Sequence, residues 1–134
     1  MLTQFGLAFR EIRIKHGLLL KDVAEKLSKQ PSFISGIEHG DKAIPDGYVM
    51  EVCKMFNFDS DERHKLLTAE AYMRNKATIE NFNCLLPLQQ ELAVGVAQEL
   101  KGLSKQRMEK ILAIMRSEDD EPTDTIISST MFND

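Results

Sequence analysis

Only two cysteines occur among 134 residues, Cys53 and Cys84, with no Cys-x-x-Cys pair and no histidine at ligand spacing. That argues against a disulfide framework and against structural zinc, and Cys53 reads as a small, reduced core residue. No apolar run approaches the roughly 18 residues that a membrane span needs. The opening stretch MLTQFGLAFREIRIKHG carries a charge every few residues, which does not describe a secretory signal. A cytoplasmic chain without a membrane partner is the expectation. A Gly-rich phosphate loop, a Ser/His/Asp set and a metal-ligating cluster are missing too, so no catalytic residue, metal or cofactor is assigned.

What charge there is lies unevenly. The formal net charge is −4, yet residues 1–50 hold seven Lys/Arg against six Asp/Glu, and residues 51–78 balance at five each. Residues 79–134 hold five against ten. The acid therefore gathers at the C-terminal end, and the first half is free to approach a polyanion.

The first seventy or so residues read as short helices separated by turn signals, with no alternating strand pattern. Thr3 is a capping residue for a helix whose inner face is Phe5, Ala8, Phe9 and Ile12, with His16-Gly17 as its stop. A second helix near Leu20–Leu27 buries Val23, Ala24 and Leu27. A third starts at Gln30-Pro31, where proline suits the first helical position, and ends at His39-Gly40. Val49, Val52, Cys53 and Phe56 recur at i, i+3, i+4 and i+7 on a fourth. Asp59 and Glu62 offer a capping box for a fifth, running to about Met73.

Residues 74–87 are a less patterned connection. Pro87 can begin a further helix with Leu88, Leu92, Val96 and Leu100 at four-residue steps, and Gly102 breaks it. Ser104 can cap a last helix with Met108, Ile111, Leu112 and Met115 on one face. These eight apolar residues form two seams, more than a two-helix hairpin can bury against itself. They are the candidate dimerisation surface; folding back onto the first domain is the alternative. Beyond Ser117 the chain is acidic and unpatterned, and a mobile tail is expected there.

The third helix poses the functional question. Ser32, Ser35, Gly36 and His39 share one stripe, opposite Ile34 and Ile37, and none of the four is a long amide or guanidinium. The ordered series FREIRIKHGLLLKDVAEKL, PSFISGIEHG and IP resembles the Xre family of lambda-repressor/Cro-like helix-turn-helix regulators over about residues 5–73. Arg13, Gly17, Ala24, Ile34, Ile37, Glu38 and Gly40 carry the resemblance in register. It implies a five-helix DNA-binding domain at 1–74; joined to the spacing and composition read above, the expectation is an all-α chain with a linker and helical hairpin at 75–116, the candidate dimerisation region, and a flexible acidic tail at 117–134. It further implies an ion pair between Arg13 and Glu38 that fixes the third helix, although direct phosphate contact by Arg13 is an alternative.

Two departures stand out. Where the family often has a capping Ser or Thr followed by Gln at the start of helix two, this chain has Leu19 and Leu20. A cap is forgone there, at about 1 kcal/mol, and so is a backbone contact. The sparse third helix forgoes about 1–3 kcal/mol of discrimination for each missing bidentate base contact. What remains for double-stranded DNA is Lys21, Lys29 and Lys42 for phosphates, with Gln30, Pro31, Ser32, Ser35, Gly36 and His39 along the groove face. The expected function is a sequence-specific transcriptional regulator, a homodimeric repressor of its own or a neighbouring operon. The competing expectation is an antitoxin-type protein whose acidic C-terminal region binds a partner protein.

Overall fold

The computed structural model describes residues 1–117; the tail expected over 117–134 lies, from residue 118 on, outside the described residues. Among the described residues there are seven α-helices, two 3-10 turns and no strand. None of these helices is long and apolar enough to cross a membrane. The chain divides into two compact units, Met1–Glu80 and the residues from Asn81 on.

The first unit holds α1 (Gln4–Lys15), α2 (Leu20–Leu27), α3 (Pro31–His39), α4 (Tyr48–Met55) and α5 (Ser60–Arg74). Each boundary has a local cause. The Thr3 hydroxyl accepts the Gly6 N–H at 3.0 Å, and Gly40 closes α3 with φ +80°, a conformation that costs glycine little. Asp59 and Glu62 cap α5 reciprocally, each side chain accepting the other's backbone N–H at 2.8 and 2.9 Å. At the start of α2 no side chain caps from Leu19, but Asp22 accepts the Leu19 N–H at 2.7 Å. Half a capping box thus survives where two leucines replace the polar residues.

The apolar faces of these helices meet in one core. Phe5, Phe9, Val23, Ile34, Ile37, Val49, Val52 and Leu66 are almost wholly enclosed. The Phe9 and Tyr48 rings meet edge to face with centroids 6.0 Å apart. Cys53 is buried and burial pushes its thiol up, whereas Cys84 is exposed.

Gly6 sets how closely α1 approaches α3. A β-carbon there would lie 1.9 Å from the Glu38 carbonyl oxygen, so only glycine lets the two backbones come this near. That carbonyl belongs to the last turn of α3, where the helix leaves its C=O groups unpaired. Both the N–H and the hydroxyl of Thr3 donate to it, at 3.1 and 3.2 Å. The N-terminal cap of one helix thereby serves the C-terminus of another.

The second unit holds α6 (Pro87–Glu99) and α7 (Lys105–Met115), with 3-10 turns at Phe82–Cys84 and Leu100–Gly102. The Ser104 hydroxyl caps α7 by accepting the Arg107 N–H. None of its helical residues is fully buried. Met108 and Ile111 are half-buried, while Leu88, Leu92, Val96, Leu100, Leu112 and Met115 are exposed, Leu88 at 73% and Met115 at 71%. The seams stay open because α6 and α7 share no extended line of close backbone approach.

Candidate nucleic-acid interface

The helix pair α2–α3 is joined by Ser28, Lys29 and Gln30, with Ser28 in the left-handed conformation at φ 56°. Ala24, 2% exposed, leaves room for the close approach, and Ile34 anchors α3 from beneath. The Lys29 N–H donates to the Ala24 carbonyl at 2.8 Å, which ties the turn to α2. Pro31 opens α3 with no N–H to leave unpaired.

The orientation of α3 is held by charge. Arg13 Nε donates to Glu38 Oε2 at 3.1 Å and Nη2 to Oε1 at 3.4 Å, a two-point pairing with both side chains nearly enclosed. Its remaining arm, Nη1, donates to the Leu18 carbonyl at 3.0 Å. Arg13 thus fastens the end of α3, the end of α1 and the approach to α2 together, and it is buried rather than presented to solvent. Burial pushes the nearby Tyr48 phenol up, and the Glu38 and Glu51 carboxylates add to that, so this hydroxyl remains neutral.

On the outer side of the pair, Lys29, Gln30, Pro31, Ser32 and His39 are exposed and Ser35 is half-buried. Lys21 is also exposed, one helix away on α2. The His39 Nδ1 lies 2.9 Å from the Ser35 carbonyl, which can only accept. Nδ1 then carries the proton, and Nε2 of the neutral ring is left as an acceptor.

Gly36 departs from its expected place on the groove face. It is buried, and a β-carbon there would sit 3.1–3.2 Å from three stem carbons of Lys42. The reason is the chain's return after α3: the Lys42 N–H donates to the Gly36 carbonyl at 3.1 Å, and the lysine stem lies across the gap that a side chain would fill. Gly36 is a seat for Lys42 rather than a surface offered to a ligand.

Sequence reasoning missed Phe33 as part of this site. The Lys29 ammonium lies 5.3 Å and the Lys42 ammonium 5.5 Å from its ring centroid. The four-residue step from Lys29 to Phe33 was a readable signal; the approach of Lys42 from beyond the helix was not. The loop carrying Lys42 is clipped from the far side, where Arg74 donates to the Ile44 carbonyl at 2.7 Å and to Asp46 at 2.9 Å. Burial raises the Glu70 carboxyl beside it, an effect that Arg74 opposes.

Residues 9–62 match the family model described as helix-turn-helix, which spans α2, α3 and most of the core around them. The match is to a model of the Xre, lambda-repressor-like helix-turn-helix type and covers less than half of the chain. No curated protein and no solved structure matches the chain.

Proposed function

We propose that the chain is a sequence-specific DNA-binding transcriptional regulator, a repressor that works as a homodimer and lays α3 in the major groove, a reading supported by the helix-turn-helix family match over residues 9–62. One observation carries the reading. The outer side of α3 is free of core contacts from Pro31 to Ser32 and again at His39, with lysines at both ends, while its inner side is locked by Arg13 and Glu38. A reading helix must be rigidly held yet bare on one side. Lys21, Lys29 and Lys42 take phosphates in this scheme, and Gln30, Ser32, Ser35 and His39 supply single hydrogen bonds to base edges. With so few long side chains, part of the discrimination falls to the shape and deformability of the DNA. A regulator of this kind works where the DNA is, and the cytoplasmic location belongs to the proposal.

A single helix-turn-helix covers one half-site, so specific binding calls for a second copy. The open apolar seams on α6 and α7 support their use as the dimer contact, because some thirty-odd residues without one enclosed helical side chain cannot supply their own core. The acidic balance of residues 79–134 favours a second reading, in which this region binds a basic partner protein instead.

A genome-wide footprint followed by competition assays tests the central reading: selected fragments should displace random DNA from the protein. If no fragment outcompetes random sequence, the regulator reading is wrong. A chain ending at Glu80 should sediment as a monomer and lose most of its affinity. Persistence of the dimer would assign α6 and α7 another job, and recovery of a small basic protein in a native pull-down would identify it.

A further inference from the structure

We propose that Lys29, Phe33 and Lys42 act as one clamp that grips a single DNA backbone phosphate, with Phe33 as the positioning residue. The inference rests on the reading of α3 as the DNA-facing helix and goes beyond it by grouping two lysines that lie thirteen positions apart.

Three observations lead there. Two ammonium groups stand within 5.5 Å of the same ring centroid, although like charges repel. Neither lysine forms an ion pair with any described carboxylate, whereas Lys15, Lys65 and Lys105 each do. Both are also tethered at the backbone close to the ring, Lys29 through the Ala24 carbonyl and Lys42 through the Gly36 carbonyl. An aromatic face attracts each cation. It gathers both ammonium groups at one ring with no described carboxylate to compensate them, and an anion that both can reach is the chemistry that completes such a pair.

The surroundings keep the clamp stiff. Phe33 is half-buried and packs on the core, so its ring cannot swing away freely. The stem of Lys42 lies in the slot above Gly36, within 3.1–3.2 Å of where a β-carbon would stand. Much of the rotamer freedom that a surface lysine loses on binding is therefore already lost in the free protein, which favours the bound state. The phosphate of a nucleic-acid backbone fits, since it offers two oxygens to two donors and needs no sequence information.

Salt dependence counts phosphates, which makes the proposal testable with the full chain and a short mixed-sequence duplex. Each phosphate contact contributes about 0.9 to the slope of log K against log salt. Lys29→Gln with Lys42→Gln should together lower the slope by about 0.9, with strong coupling between the two in a double-mutant cycle. Phe33→Leu keeps both charges and an apolar side chain; it should weaken binding roughly five-fold or more by releasing two ordered lysines, while far-UV circular dichroism stays unchanged. A drop of about 1.8 with additive single effects would mean two separate phosphates and overturn the clamp. An unchanged slope in the double variant would overturn it as well. Wild-type affinity in Phe33→Leu would remove the ring from the site. If the wild-type chain itself showed no salt-dependent binding, the DNA-facing role of α3 would fall instead, a result distinct from all of these.

Discussion

Replacing Gly6 by alanine changes one hydrogen for a methyl, and the geometry assigns it a large effect. In an exposed helix interior the exchange would stabilise by about 1 kcal/mol. Here the new carbon would lie 1.9 Å from the Glu38 oxygen, 2.6 Å from its carbonyl carbon and 2.8 Å from its Cα. Ordinary contact for such atoms is about 3.5 Å, so α1 and α3 must part by on the order of an ångström. All three clashing atoms are backbone, and no rotamer change can relieve them. Separation also breaks the two hydrogen bonds from Thr3 to that carbonyl, each about 1 kcal/mol. Overpacking adds about 1–3 kcal/mol. Set against the helix gain, the net loss is roughly 2–4 kcal/mol. An eighty-residue unit has on the order of 4–12 kcal/mol in all, so its melting temperature should fall by roughly 10–25 °C. Thermal unfolding followed by far-UV circular dichroism reads this directly. Gly36→Ala is the matched control: the three atoms nearest its methyl would be flexible Lys42 carbons at 3.1–3.2 Å, and stability should stay within about 1 kcal/mol of wild type. If Gly6→Ala melts with or above the wild type, the close-approach argument is wrong.

Two further outcomes follow from the charged contacts. Arg13→Ala should cost about 3–5 kcal/mol in urea unfolding, because it strands the enclosed Glu38 carboxylate; a loss under 1 kcal/mol would show that the pair is solvated. For Glu62, burial pushes the carboxyl up, but the Asp59 N–H and the neighbouring His16 and Lys15 at 2.8 and 3.3 Å outweigh it, leaving the group below its ordinary range. A depressed carboxylate contributes fully above its unfolded value of about 4.3 and loses that contribution as pH falls through the folded value. Glu62→Gln should flatten the acid limb of the stability curve in that window, and an acid limb identical to wild type would count against the contact.

The helices of this chain were legible because their causes are local. Thr3, Pro31 and the Asp59–Glu62 box act within one turn of the residues they cap, and the apolar spacings of α1 and α4 mark which side turns inward. The helix-turn-helix could be read for the same reason, as α2 and α3 are neighbours in sequence. Even Leu19 and Leu20, which break the expected cap, announced a departure there. The compensating Asp22 sat three residues away and could have been found.

Other features exist only once distant segments meet. Gly6 looks like an ordinary helix glycine until α3 is laid against it. Gly36 shares a stripe with Ser32 and Ser35 on a helical wheel, yet the returning chain covers it, since periodicity places a residue on a face and does not say what else arrives there. Phe33 gains its two cations in the same way, one from its own helix approach and one from the loop beyond. Composition and spacing determined the helices and their caps, and the resemblance of an ordered residue series pointed to the helix-turn-helix over residues 9–62. The tertiary structure alone decided which of the exposed-looking residues are occupied, because burial depends on pairs of segments whose separation in sequence carries no signal of their meeting.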